Sequence, residues 1–117
     1  ALLAARLPRL QARLSRLLSA DIGKAALLAG DYSADQRTAA FLVALSRRYA
    51  RRGFSATRFH LTMSRSDIAN FLRLAPETVS RVLRRFQDEG LVAVERRELE
   101  IRDVARIHAL ARAVLRD

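Results

Sequence analysis

Two short helical patterns separated by three residues sit at the centre of this chain, and no other feature constrains its fold as tightly. The first runs from Ser64 to about Leu72. Ser64 can cap it, with Asp67 at the third position after the cap, and Ile68, Ala69 and Leu72 face inward. Leu74-Ala75-Pro76 breaks the pattern. Pro76 suits the first position of a second helix, where its missing N–H costs nothing. That helix runs to about Glu89, and Gly90 closes it. Two helices joined this tightly must cross closely, which needs a small residue inside the first helix and apolar residues on either side. Ala69 is the small residue, and Ile68, Leu72, Leu74, Val79 and Val82 supply the apolar contacts, so a helix-turn-helix is predicted over about 64–90. The turn position usually held by glycine is Arg73. A left-handed conformation would cost arginine about 1–2 kcal/mol, which argues for an adjusted turn.

The second helix divides into two faces on counting alone. Val79, Val82, Leu83 and Phe86 follow the spacing of a buried stripe. Glu77, Ser80, Arg81, Arg84 and Asp88 fall on another side. The N-terminal members of this polar stripe are of the types that read base edges. Arginine is bidentate to guanine O6 and N7, glutamate accepts from cytosine N4, and serine bonds in either sense. Recognition helices read with their N-terminal residues. Any amphipathic helix has a polar face, so the stripe takes its meaning from the motif that precedes it.

After Gly90, Leu91-Val92-Ala93-Val94 is β-prone, and Leu99 and Ile101 alternate with Glu98, Glu100 and Arg102. The pattern predicts a β-hairpin wing over about 91–102 with Arg96 and Arg97 at its tip, placed to touch backbone phosphates. Arg-Arg is not a favoured two-residue turn, so a longer loop is expected. A last helix from about Asp103 is expected to bury Val104, Ile107, Leu110 and Val114.

Upstream, Ser33-Ala34-Asp35-Gln36 reads as a capping box. The helix behind it places Phe41, Leu42, Leu45 and Tyr49 on one face, gathers Arg47, Arg48, Arg51 and Arg52 in its last turns, where cations suit the negative end of the macrodipole, and ends at Gly53. Residues 54–58 look like a loop. Phe59, Leu61 and Met63 alternate with His60 and Thr62, as in a short strand. Nearer the start, Leu3, Leu7, Leu10, Leu14 and Leu17 form an a/d seam suited to pairing with another helix. An amphipathic helix packed on its own domain would show the same stripe. Pro8 marks a start or a kink, and residues 22–29 continue apolar and helical to Gly30. The chain begins Ala1-Leu2-Leu3 in what reads as mid-helix, so a piece of a longer cytosolic protein is expected. The fold expected is mainly α with small β: a winged helix-turn-helix domain over 31–117, preceded over 1–30 by the C-terminal part of a long dimerisation-type helix.

A net charge of +10 makes polyanions the natural partners. Residues 47–97 hold twelve arginines against five acids, whereas residues 98–117 hold four of each. Solubility does not require that concentration, and a phosphate-binding face does. An arginine-rich solvated surface is the blander alternative. There is no cysteine, which excludes disulfides, thiolate metal sites and cysteine nucleophiles from this chain. His60 and His108 stand without further metal-ligating partners. The absence of a convergent acid–base pair, a glycine-rich phosphate loop or metal-ligand spacing argues against an enzyme. No apolar run approaches the roughly 20 residues of a membrane span.

The run from Phe59 to Val94 resembles the C-terminal domain of the CRP/FNR family of bacterial regulators, and its FNR branch more than its cyclic-AMP receptor branch. The resemblance is carried by Leu61-Thr62-Met63-Ser64-Arg65-Ser66-Asp67-Ile68 and by Pro76-Glu77-Thr78-Val79-Ser80-Arg81. It extends upstream through Leu45-Ser46-Arg47-Arg48 and Arg52-Gly53-Phe54-Ser55, and residues 1–29 resemble the family's long dimerisation helix. It implies a cytoplasmic, sequence-specific transcription regulator that binds double-stranded DNA as a homodimer, with Glu77, Ser80 and Arg81 contacting bases of a TTGAT half-site. The cyclic-AMP receptor branch usually has glycine where Ser80 stands. The resemblance also implies phosphate contacts at Ser64, Arg65, Ser66 and Thr78. The loop at Phe54 and Ser55 resembles a surface that touches RNA polymerase in activators of the family. Family members carry an N-terminal sensor domain that binds an iron–sulfur cluster, a nucleotide or haem, and no cofactor is expected in the present chain.

The mechanism expected is therefore a pair of chains joined through the Leu3–Leu17 seam, with recognition helices about 34 Å apart in successive major grooves. Arg65, Arg84, Arg96 and Arg97 anchor the backbone, and Glu77, Ser80 and Arg81 choose the sequence. A winged motif can also serve as an adaptor that docks on protein without reading DNA. The concentrated charge and the base-reading stripe favour DNA.

Overall fold

A computed structural model describes residues 32–115. The expected dimerisation segment 1–30, with its leucine seam, lies outside the described residues. Along the described chain run α1 (Ala34–Arg51), β1 (Arg58–His60), α2 (Arg65–Leu72), α3 (Pro76–Asp88), β2 (Val92–Glu95), β3 (Glu98–Ile101) and α4 (Val104–Leu115). The fold is mostly helical with a small three-stranded sheet, a helix-turn-helix followed by a wing.

The capping box at the start of α1 forms in both directions. The Gln36 N–H donates to Ser33 Oγ at 3.1 Å, and the Ser33 N–H donates to Gln36 Oε1 at 3.0 Å. The helix then departs from the one-faced pattern expected of it, because every residue from Thr38 to Ser46 is buried. Ala39, Ala40 and Ala44 leave room for neighbours on several sides: α4 packs along α1, and α2 and α3 pack against it as well. Tyr49 is only half-buried, and its hydroxyl donates to the His60 carbonyl at 3.0 Å.

The sheet order is β1-β3-β2, antiparallel throughout. Phe59 and Val94 both pair with Leu99, so their side chains share the inner face. The period-two alternation continues past β1, with Phe59, Leu61 and Met63 buried between exposed His60 and Thr62. The ladder itself stops at His60, because β3 begins at Glu98; beyond it the Leu61 N–H donates to the Arg97 carbonyl at 2.6 Å.

The wing and α4 also depart from expectation. The wing loop is not long: Glu95 pairs with Glu98, leaving Arg96 and Arg97 as a two-residue turn. Arg96 takes φ +58 to close it, the positive first central angle that matches the twist of a hairpin. The register of β3, held on both sides, outweighs the turn preference of arginine. In α4 the buried residues are Ile107, Ala111 and Val114, while Leu110 is half-buried and Val104 is 43% exposed. Val104 and Leu110 lie on opposite flanks of the arc centred on Ile107, and only its centre faces α1. Asp103 caps α4 by accepting from the Arg106 N–H at 3.1 Å.

Candidate nucleic-acid interface

The helix-turn-helix is built from local signals. Ser64 Oγ accepts from the Asp67 N–H at 3.1 Å and starts α2. Ala69, fully buried, lies in the core with Ile68, Leu72, Val79, Val82, Leu83 and Phe86. The turn is not adjusted to suit its sequence: Arg73 adopts φ 60, ψ 45, the left-handed conformation. That geometry lets the Leu74 N–H reach back to the Ala69 carbonyl at 2.9 Å, satisfying one of the carbonyls a helix end leaves open. Pro76 occupies the first turn of α3, and the N-cap, Ala75, offers no side-chain acceptor.

Burial divides α3 sharply. Val79, Val82, Leu83 and Phe86 are at most 4% exposed, each worth about 1.5–3 kcal/mol for full burial. Glu77, Ser80, Arg81, Arg84 and Asp88 are exposed on the outside. Within the described residues, no hydrogen bond or ion pair engages the side chains of Glu77, Ser80, Arg81 or Arg84. Four polar side chains thus project together from a helix whose other face is buried in the core.

The remaining candidates fall into groups. Ser66 is exposed, whereas Ser64, Arg65 and Thr78 are half-buried, and the Ser64 hydroxyl is already the acceptor of the α2 cap. Arg65 is held below the ordinary arginine value, first by burial and then by the charge of Arg97. The structure therefore brings the start of α2 and the wing tip into one positive patch. Arg97 is not fully free, since its Nη1 donates to the Thr62 carbonyl at 3.1 Å. Arg96 is exposed at the tip, and Arg84 belongs to the α3 stripe instead.

One acid of the wing, Glu100, is neutralised where it stands. Glu100 lies 2.5 Å from Arg58 and 3.0 Å from Arg102, and hydrogen bonds from these two hold its carboxyl below the usual carboxylate range. His60 Nδ1 lies 2.6 Å from Glu98 Oε1. In the 54–58 loop, Phe54 is 62% exposed and meets Tyr49 edge-on at 6.1 Å, while Tyr49 stacks on Phe59 at 5.4 Å. Ser55 Oγ accepts from the Thr57 and Arg58 N–H groups at 3.2 and 3.1 Å, so it shapes the loop as well as lining its surface. No helix among the described residues is long and apolar enough to cross a membrane.

Sequence reasoning missed three tethers. Asp35 pairs with Arg85, Arg37 Nη1 donates to the Leu72 carbonyl at 3.1 Å, and Gln87 Oε1 accepts from the Val94 N–H at 3.3 Å, tying α3 to the edge strand β2. The first two join residues 50 and 35 positions apart, and no local pattern signals such pairs.

Comparison with known proteins agrees with this geometry. The Crp-like helix-turn-helix domain family matches residues 36–110. The transcriptional activator protein Anr of Pseudomonas aeruginosa is 48% identical over 112 residues, covering 93% of this chain and 46% of that protein. The fumarate and nitrate reduction regulatory protein of Salmonella typhimurium is 43% identical over 112 residues, covering 93% of this chain and 45% of that protein. The chain thus spans a little under half the length of these curated relatives. Among solved structures, FixK2 from Bradyrhizobium japonicum superimposes with a TM-score of 0.62 at 36% identity, over 69% of this chain and 39% of that one.

Proposed function

The chain belongs to the Crp-like helix-turn-helix family, and on that premise we propose that it is the DNA-binding end of a cytoplasmic CRP/FNR-type transcription regulator that reads a palindromic TTGAT-like operator through α3. The observation that carries this reading is the exposure of Glu77, Ser80 and Arg81 on one uncommitted face of α3. Buried polar groups that had found partners inside the protein would have nothing left for base edges; these have their full hydrogen-bonding capacity available. Arg81 suits guanine, Glu77 suits cytosine, and Ser80 adapts to either.

Phosphate contacts fall to Ser64, Arg65, Ser66 and Thr78 around the two helix starts, to Arg84 on α3 and to Arg96 and Arg97 on the wing. Such contacts set register and carry no sequence information. Dimerisation is assigned to residues 1–30 through Leu3, Leu7, Leu10, Leu14 and Leu17. A contact with RNA polymerase is assigned to Phe54 and Ser55, where an exposed aromatic ring is supported by Tyr49. The role is that of a binding module and not of an enzyme, and any iron–sulfur cluster, nucleotide or haem belongs to a sensor domain outside this sequence.

A mobility shift on a duplex holding a TTGAT palindrome, beside a scrambled duplex of equal length, tests the proposal. Binding to the palindrome is expected to be about a hundredfold tighter or more. Equal affinity for the two duplexes would overturn it.

A further inference from the structure

The first turn of α1 grips both helices of the helix-turn-helix. Asp35 forms an ion pair with Arg85 in the last turn of α3. Arg37 donates to the carbonyl of Leu72, the last residue of α2, where a helix leaves carbonyls without intrahelical partners and favours a cation. The same turn is made rigid by the reciprocal bonds between Ser33 and Gln36. Arg85 stands one turn beyond Arg81, on the flank of α3 between the outward stripe and the buried stripe of Val82 and Phe86. A helix docked through an apolar stripe can still roll about its axis, because dispersion contacts are non-directional. A directional tether on its flank opposes that roll.

We propose that Asp35 and Arg85 are positioning residues for base reading: their ion pair fixes the roll of α3 against the first turn of α1, and so aims Glu77, Ser80 and Arg81. The inference rests on the base-reading role proposed above. Both partners are partly exposed, with 33% and 51% of their side-chain surface open, so the pair adds little to global stability. Its loss therefore acts on orientation and leaves folding intact.

The test measures discrimination, the ratio of affinities for a TTGAT palindrome and for the same duplex with one half-site base pair changed, in the whole chain and in three variants. Asp35→Asn raises the net charge and Arg85→Gln lowers it, so simple electrostatics moves their affinities for any duplex in opposite directions. The positioning role instead predicts that both lose discrimination by about three- to fivefold, that Arg85→Lys recovers most of it, and that thermal midpoints stay close to the parent's. Discrimination unchanged in both Asp35→Asn and Arg85→Gln, with affinities simply following charge, would overturn the positioning role alone. Failure of the unmodified chain to discriminate would instead overturn the base-reading proposal beneath it.

Discussion

Arg97 at the tip of the wing lies beside Arg65 in the first turn of α2, where burial first and then the charge of Arg97 hold the Arg65 guanidinium below its ordinary value. No carboxylate among the described residues pairs with either guanidinium. Like charges held together in a partly desolvated place repel each other, and a phosphate between them relieves that repulsion.

Arg65→Ala and Arg97→Ala are each expected to weaken binding to operator and random DNA alike, lowering the salt slope by about one unit. If both hold one phosphate, the double variant loses less than the sum of the two singles. Fluorescence anisotropy over a salt series reads both quantities. Strict additivity would assign the two arginines to separate phosphates.

Arg81→Ala should behave differently. The side chain is exposed, unengaged and on the outward stripe of α3, so its removal is expected to cost about 1–3 kcal/mol on the operator and to relax preference at one base pair. A competition assay against single-base-pair substitutions gives the pattern. An equal loss on operator and random DNA would place Arg81 on a phosphate.

Arg73 carries left-handed strain at the end of α2. Arg73→Gly removes a penalty of about 1–2 kcal/mol, partly offset by the greater freedom of glycine in the unfolded chain. A net gain of about 0.5–1 kcal/mol is expected, which raises Tm by about 2–8 °C in a domain of this size. Arg73→Val should lower it, because a β-branched residue tolerates positive φ poorly. Calorimetry on the two variants decides the sign.

The Glu100 carboxyl is held down by hydrogen bonds from Arg58 and Arg102 and by their charges. A depressed carboxylate stabilises the fold above its ordinary value of 4.5 and loses that contribution as pH falls through the lowered native value. Arg58→Gln is expected to move the Glu100 midpoint back up, since Arg58 is the largest cause. Carbon-detected NMR titration of the side-chain carboxyl follows it directly. A midpoint unmoved by the substitution would leave Arg102 as the sole cause.

Most of the candidate site was legible in the sequence because its organisation is helical. Residues three and four apart share a face whatever surrounds them. The split of α3 into Val79, Val82, Leu83 and Phe86 on one side and Glu77, Ser80, Arg81 and Arg84 on the other follows from spacing alone, and the burial pattern repeats it. The caps at Ser33 and Ser64 and the start at Pro76 were legible for the same reason, since each acts within one turn. Local preference misled where a non-local constraint opposed it. Arg96 turns tightly because β3 is held in register by strands on both sides. Val104 is exposed because α4 meets α1 over an arc narrower than its apolar stripe.

Amino-acid order by itself determined the elements, their caps and the outward chemistry of α3, all of which depend on neighbours a few positions away. Tertiary structure alone decided that Arg65 meets Arg97, that Asp35 meets Arg85, and that Arg37 closes the end of α2. Those meetings depend on how α1, α2, α3 and the sheet pack about one shared core. Packing sums many weak, non-directional contacts over the whole domain, and no short stretch of chain contains that sum.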